Sequence, residues 1–201
     1  DPGTTWNQRA RDAKPDWMSP RMAWRAIQSA LPKNAIISSD IGNNCAIGNA
    51  YPSFDEGRKY LAPGLFGPCG YGLPSIVGAK IGQPTVPVVG FAGDGAFGIS
   101  VNELTAIGRD EWPAITQIVF RNYQWGAEKR NSTLWFDDNF VGTELDTKVS
   151  YAGIAQACGL KGVQATTMDQ LTELLSHAIK DQMENNVTTL IEVILNQELG
   201  E

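Results

Sequence analysis

Runs of consecutive apolar residues alternate with amphipathic segments along most of the chain. The apolar runs predict buried strands, and apolar residues at helical spacing predict helices between them. The predicted strands are 35–37, 87–92, 115–120 and 190–195. The predicted helices are 20–31, 45–51, 73–81, 96–108, 151–158 and 168–183. Continuous apolar strands separated by helices are typical of a parallel sheet covered on both faces, so we predict a three-layer α/β fold with a mostly parallel sheet.

The first 19 residues differ from the rest of the chain. Residues 1–19 are polar, with Trp6 and Trp17 as isolated anchors, and we expect them to form a linker or an arm from a preceding domain. Residues 20–201 are long enough to bury one core and are expected to form one domain. Because the first residue is Asp1 rather than Met, we expect the chain to be an excerpt from a longer polypeptide.

Composition and charge exclude several classes of function. The net charge is −6, so no basic stripe is available to neutralise nucleic-acid phosphates. The apolar stretches are too short to span a membrane, and no segment has the pattern of a signal peptide. Three dispersed cysteines (Cys45, Cys69 and Cys158) favour a reduced, cytoplasmic setting over a disulfide framework or zinc knuckle. The single histidine, His177, lies in a helical apolar pattern, so histidine-based nucleophilic catalysis is not expected.

Polar and glycine-rich segments follow the predicted strands, where parallel sheets bind ligands. After the first strand, Asn43 and Asn44 can cap a helix or donate amide hydrogens to phosphate oxygens, and both interpretations stay open. The stretch 62–74 has four glycines within nine positions. These glycines permit either close contact with a flat ligand or close packing of helix on sheet.

The most informative strand end is Gly93-Asp94-Gly95, which opens the predicted helix at Ala96. With Gly98 it matches the Gly-x-Gly-x-x-Gly pattern of a dinucleotide site. The carboxylate of Asp94 would repel a pyrophosphate unless a cation lay between them. No acidic residue ends the next strand to bind a ribose, which further disfavours a dinucleotide.

A metal-bridged diphosphate accounts for this pattern better. Asp94 supplies an anionic oxygen, Asn122 at the end of the next strand supplies an amide oxygen, and Gln124 supplies a backbone carbonyl. Two phosphate oxygens and a water would complete six oxygen ligands, which suits Mg²⁺. Amide groups of Gly93, Gly95 and Ala96 would bind phosphate at the start of the helix.

These residues resemble a known superfamily. The Gly93–Gly95 motif followed by Asn122 is similar to the diphosphate-and-metal motif of enzymes that use thiamine diphosphate, and 67–74 resembles their pyrimidine-ring loop. The resemblance implies the thiamine-diphosphate-binding fold and the cofactors thiamine diphosphate and Mg²⁺. It implies that the Gly67 carbonyl accepts a hydrogen bond from the cofactor and that Cys69 holds the position that bends it. A buried packing role for Cys69 is the alternative.

A narrower resemblance extends from about Met18 to the end of the chain. The stretches 125–129, 139–145 and 198–200 are similar to those of the sulfoacetaldehyde acetyltransferase family. That family acts in taurine and sulfonate metabolism and converts sulfoacetaldehyde and phosphate into acetyl phosphate and sulfite. Arg121, Lys129 and Arg130 are candidates for binding the sulfonate, and a solvated basic cluster is the alternative.

The resemblance also implies what the chain lacks. In the family an activating glutamate comes from the pyrimidine-binding domain of a second subunit, so we expect a homodimer or homotetramer and no activity from this chain alone. The catalytic residues are therefore unknown from this sequence. An acetolactate synthase or pyruvate oxidase relative with the same cofactor, a dinucleotide-dependent oxidoreductase and a non-catalytic cofactor-binding module are the alternatives.

Overall fold

A single six-stranded parallel sheet forms the centre of the computed structural model. The model describes the backbone of residues 2–14, 16–57 and 59–199, and the side chains of these residues except 2–7 and 45. The strand order is β2-β1-β3-β4-β6-β5, and every described pairing is parallel. The strands are β1 (Ile36–Ser39), β2 (Tyr60–Leu61), β3 (Val88–Gly93), β4 (Thr116–Arg121), β5 (Lys161–Ala165) and β6 (Thr189–Ile194).

Helices cover both faces of the sheet. One face packs against α2, α3 and α9, and the other packs against α4, α5, α6 and α8. The helices are α1 (Pro2–Ala13), α2 (Pro20–Ala30), α3 (Asn43–Gly48), α4 (Gly72–Gly82), α5 (Asp94–Ser100), α6 (Leu104–Ile107), α7 (Gly126–Trp135), α8 (Tyr151–Ala157) and α9 (Met168–Glu184). The predicted three-layer α/β fold is confirmed.

Alternation of side chains along each strand divides the core in two. In β3, Val89 and Phe91 point to the face of α2, while Val88 and Ala92 point to the face of α4. All six residues of β4 are buried. Strands buried on both faces are mostly apolar rather than alternating, which is why the sequence shows the central strands clearly.

The four predicted strands are confirmed with small shifts, whereas the edge elements were missed. Strand β2 has two residues, and β5 is an edge strand with exposed Lys161 and Gln164, so neither gives an apolar run. The predicted helix 96–108 is interrupted by a 3₁₀ turn at Val101–Glu103. Helix α7 was not predicted because its apolar residues do not fall on one face. Its buried residues, Lys129 and Thr133, are both polar.

The segment predicted to be a linker contains a helix. Helix α1 lies against α7, and Arg9 forms an ion pair with Asp138 at 2.9 Å. Trp17 packs beside Tyr123 with ring centroids 6.2 Å apart, while the side chain of Trp6 lies outside the described residues. The division of the chain at residue 19 stays a prediction.

The topology places a cleft at one end of the sheet. After β1 the chain moves outward to β2, and then returns to place β3 on the other side of β1. The connections therefore diverge at the carboxyl ends of β1 and β3, which is where sheets of this kind bind ligands. In the part of the chain that the model describes, no helix combines the length and apolarity needed to cross a bilayer.

Trp24 should contribute more to stability than any exposed residue of α2. It is fully buried and its ring lies 4.7 Å from that of Phe91 and 5.4 Å from that of Phe120. We expect Trp24→Ala to lower the free energy of unfolding by about 3–5 kcal/mol because it leaves a cavity. Exposed Arg25 provides the control, and Arg25→Ala should change that energy by less than about 0.5 kcal/mol in the same denaturant titration. Equal losses of unfolding free energy in the two variants would contradict the prediction that Trp24 contributes more to stability than the exposed residues of α2.

Candidate functional site

All ten residues that the sequence singled out for cofactor or metal binding line one cleft. Four segments form it: the turn after β1, the loop before α4, the turn after β3 and the turn after β4. The ten residues are Asn43, Asn44, Gly67, Cys69, Gly93, Asp94, Gly95, Ala96, Asn122 and Gln124. Ile41, Gly42, Trp125, Gly126, Ala127 and Glu128 complete the lining.

The carboxylate of Asp94 is buried at the base of this cleft. Its Oδ2 atom accepts hydrogen bonds from Arg121 Nη1 at 3.0 Å and from the backbone N–H of Tyr123 at 2.7 Å. Its Oδ1 atom accepts from the backbone N–H of Gly95 at 3.0 Å. Burial raises the pKa of Asp94 to about 6, because desolvation outweighs the opposing effect of the Arg121 charge.

The Asn122 side-chain amide lies between the Asp94 carboxylate and the Gln124 carbonyl group. One atom of this amide lies 3.3 Å from Asp94 Oδ1 and 3.2 Å from the Gln124 carbonyl oxygen. Neighbouring ligands of an octahedral Mg²⁺ ion lie about 3.0 Å apart, given bonds of about 2.1 Å. With its amide turned over, Asn122 would instead donate hydrogen bonds to the same two oxygens. The amide nitrogen turned inward satisfies both oxygens, and the amide oxygen would face them only if a cation lay between the three oxygens.

The donor set itself narrows the choice of metal. Within residues 2–14, 16–57 and 59–199, no three His, Cys, Asp or Glu side chains are grouped to hold a metal ion. A cation at Asp94 would therefore depend on amide and carbonyl oxygens. Such hard ligands suit Mg²⁺, Ca²⁺ or Mn²⁺ rather than zinc or copper.

Gly95 and Asn43 line the cleft beside Asp94. A Cβ atom added to Gly95 would lie 2.7 Å from the Trp125 ring, so the backbone of Gly95 packs directly against the indole. The Nδ2 atom of Asn43 is buried and has no hydrogen-bond partner. An unpaired donor in a buried setting is costly. A phosphate oxygen in the cleft would satisfy it, so the residues present fit a diphosphate.

Asp40, which the sequence analysis did not assign a role, fixes the glycine-rich loop. Its buried carboxylate accepts hydrogen bonds from the backbone N–H groups of Ile41 at 2.9 Å, Gly70 at 3.1 Å and Gly72 at 2.8 Å. Burial raises the pKa of Asp40, and these N–H groups act in the opposite direction. These hydrogen bonds hold the loop against the end of β1. Gly67, which belongs to this loop, lies at the cleft as a result.

Cys69 is exposed at the cleft, so the alternative that it is a buried packing residue is wrong. Desolvation by the surrounding loop raises the pKa of the Cys69 thiol, and the charge of Asp40 acts in the same direction. The thiol is therefore protonated at neutral pH and is not an activated nucleophile. Its contact with the cofactor ring stays a prediction.

The basic residues proposed for a sulfonate are mostly unavailable. Arg121 and Lys129 are about 1% and 2% exposed, so neither is a free ligand nor part of a solvated cluster. Lys129 pairs with Glu144 and lies over the Phe140 ring, 4.9 Å from its centroid. Both interpretations are therefore wrong for these two residues. Arg130 is exposed and lies with Arg21 in an adjoining groove.

Comparison with known proteins identifies the class of this site. The family model described as "Thiamine pyrophosphate enzyme, C-terminal TPP binding domain" matches residues 40–193, and the chain belongs to this family. Thiamine pyrophosphate and thiamine diphosphate are the same compound. The match includes the whole cleft, confirms the predicted cofactor class and excludes the dinucleotide alternative.

Close relatives share a more specific name. The chain is 83% identical over all 201 residues to the sulfoacetaldehyde acetyltransferase of Roseovarius nubinhibens, of which it covers 33%. It is 40% identical over 92% of its length to the sulfoacetaldehyde acetyltransferase of Castellaniella defragrans, of which it covers 31%. The chain therefore spans about a third of the length of these relatives. The acetolactate synthase isozyme 3 large subunit of Escherichia coli is 24% identical over 92% of the chain and 32% of its own length.

Solved structures support the fold. The benzoylformate decarboxylase of Polynucleobacter necessarius matches with a TM-score of 0.78 at 20% identity, over 90% of this chain and 34% of that one. The thiamine diphosphate-dependent 4-hydroxybenzoylformate decarboxylase of Rhodococcus jostii RHA1 matches with a TM-score of 0.77 at 23% identity. The match covers 90% of this chain and 33% of that one.

Asp94→Asn should abolish Mg²⁺-dependent binding of thiamine diphosphate. The substitution removes the one anionic oxygen of the donor set, and we expect the affinity to fall by more than about 100-fold, beyond the loss typical of residues that only support metal ligands. Calorimetric titration with thiamine diphosphate and Mg²⁺ measures it, with exposed Asp110→Asn as the charge-matched control. An unchanged affinity in a folded Asp94→Asn protein would remove Asp94 from the metal site.

Acidification should weaken metal binding in a defined range. Because the pKa of Asp94 is raised to about 6, the carboxylate is ionised at pH 7.5 and is mostly protonated at pH 5. Protons then compete with the metal, and we expect about tenfold weaker binding at pH 5 than at pH 7.5. Titration with Mn²⁺ without cofactor avoids protonation of the diphosphate. Equal Mn²⁺ affinity at both pH values would contradict this prediction.

Proposed function

We propose that the cleft holds the diphosphate of thiamine diphosphate through Mg²⁺, with Asp94, Asn122 and the Gln124 carbonyl as the metal ligands. The observation that carries this proposal is the position of the Asn122 amide, one atom of which lies 3.3 Å from Asp94 Oδ1 and 3.2 Å from the Gln124 carbonyl oxygen, so an amide oxygen there would need a cation between the three oxygens. An amide nitrogen turned inward is the other arrangement that relieves their repulsion, and binding of the metal would displace it. The unpartnered Nδ2 atom of Asn43 adds a donor for the phosphate.

The remaining predicted residues would surround the cofactor. Backbone N–H groups of Gly93, Gly95 and Ala96 begin α5 and suit phosphate oxygens. Asn44 lies beside Gly93, since a Cβ atom there would come within 3.1 Å of its Nδ2. In this proposal the loop held by Asp40 presents the Gly67 carbonyl and Cys69 to the pyrimidine ring.

We further propose that the full-length protein converts sulfoacetaldehyde and phosphate into acetyl phosphate and sulfite. The 83% identity over all 201 residues to a sulfoacetaldehyde acetyltransferase carries this part. Thiamine diphosphate, when bound, supplies the carbanion stabilisation that such acyl transfer requires. This chain orients the cofactor and shields its diphosphate from water. Because Arg121 and Lys129 are buried and paired, groups other than these two must bind the sulfonate.

The cleft is proposed to be completed by a pyrimidine-binding domain from a second subunit, in a homodimer or homotetramer. Leu65 and Phe66 precede Gly67 in the glycine-rich loop, and both side chains are almost fully exposed. Because two neighbouring large apolar side chains are costly to expose to water, this favours coverage by another domain. That domain would contribute the activating glutamate. A cytoplasmic location remains a prediction from the dispersed cysteines.

The substrate can be tested directly with the full-length protein. We expect sulfite and acetyl phosphate to form from sulfoacetaldehyde, thiamine diphosphate, Mg²⁺ and phosphate, at a rate at least about 100-fold above acetolactate formation from pyruvate, a difference of about 2.7 kcal/mol in activation free energy. The control omits phosphate and should yield no acetyl phosphate. Acetolactate from pyruvate, with no sulfite from sulfoacetaldehyde, would place the protein with the acetolactate synthases and leave the cofactor assignment intact.

A further inference from the structure

A buried arginine stands directly behind the proposed metal ligand. Arg121 is 1% exposed and its guanidinium group contacts Asp94 through Nη1 at 3.0 Å. Its Nη2 atom donates to the carbonyl oxygens of Asp146 at 2.6 Å and Val149 at 3.0 Å. The guanidinium also stacks on the Tyr123 ring, with Arg121 Cζ 4.2 Å from the ring centroid. Arg121 is thus held in one orientation from several sides.

This arrangement makes the two oxygens of Asp94 unequal. Oδ2 receives both the Arg121 guanidinium and the Tyr123 N–H, so its lone pairs are occupied. Oδ1 has only the N–H of its neighbour Gly95 and faces Asn122. Asp94 can therefore offer a single oxygen to a cation in the cleft.

Glu192 closes the other side of the cluster. Its carboxylate lies 3.6 Å from Arg121 Nε and accepts from Ser150 Oγ at 3.0 Å and from Gln164 Nε2 at 2.9 Å. The backbone N–H groups of Tyr151 and Ala152 also donate to it. One cation thus lies between two anions, and the first turn of α8 compensates the remaining negative charge.

We propose that Arg121 is a positioning residue that makes Asp94 a one-oxygen ligand and thereby selects Mg²⁺ over the larger Ca²⁺. Mg²⁺ demands near-ideal octahedral geometry with single oxygens, whereas Ca²⁺ accepts carboxylates through both oxygens and six to eight ligands. Occupying Oδ2 removes the two-oxygen option. The inference rests on the metal site proposed above and adds the reason for its selectivity.

The experiment compares two metal affinities in the full-length protein. Apparent dissociation constants for Mg²⁺ and Ca²⁺ are measured by calorimetry at saturating thiamine diphosphate. The main variant combines Arg121→Gln with Glu192→Gln, which removes the guanidinium while leaving the cluster with the same net charge. Glu192→Gln alone is its matched control, and Arg121→Lys tests rescue, because an ammonium group can still donate to Oδ2. Arg121→Gln alone also removes the guanidinium, and it is measured if the double variant does not fold.

We expect the preference for Mg²⁺ over Ca²⁺ to fall about tenfold in the double variant, within the range typical of residues that support metal ligands. Glu192→Gln and Arg121→Lys should keep the preference close to that of the wild type. A purely electrostatic or structural role would change both affinities by the same factor, and that result would overturn the inference. A wild-type protein that binds both ions equally would overturn it without any variant. If the wild type binds neither ion, the proposed metal site is wrong as well. If it binds both ions equally, only the inference about selectivity is wrong.

Discussion

The ion pair between Asp94 and Arg121 is the interaction on which the rest of the site depends. Both side chains are about 1% exposed, so neither charge is solvated by water. Removing one partner of such a pair costs about 3–5 kcal/mol, because the other is left buried and unpaired. The chain therefore has to supply compensation from distant segments. It does so with Glu192, with two loop carbonyls and with the start of α8.

The fold brings those segments together through parallel topology. In a parallel sheet the carboxyl ends of β3, β4 and β6 lie at one edge, which places Asp94, Arg121 and Glu192 within reach of one another. Close packing at this end of the sheet then requires a residue without a side chain. Gly95 meets this need, since an added Cβ would collide with the Trp125 ring. Fold and site thus share the same residues, and a change in one affects the other.

The sequence predicted the cleft well because its signals are local. Glycine, aspartate and asparagine directly after an apolar strand indicate a ligand-binding strand end, whatever the long-range contacts. The roles of Arg121 and Lys129 were missed because nothing local distinguishes a buried basic residue from a solvated one. One signal was available: Glu192 interrupts an otherwise apolar strand and so requires a cation or donors nearby. The edge strands and α7 could not be predicted because β2 has only two residues, and β5 and α7 carry no continuous or periodic apolar pattern.

Two of the segments that carried the narrower resemblance, 125–129 and 139–145, are joined to each other beside Gln124. Trp125 donates from its backbone N–H to the Thr143 carbonyl at 2.8 Å, and Leu145 donates to the Tyr123 carbonyl at 2.9 Å. These bonds pair the two segments on either side of Gln124, whose carbonyl is a proposed metal ligand. The ion pair between buried Lys129 and exposed Glu144 joins the same two segments. These stretches therefore include residues that hold the loop around Gln124. Glu128 lines the open cleft, and exposed Leu65 and Phe66 precede Gly67, so these are residues that a substrate or a covering domain would meet.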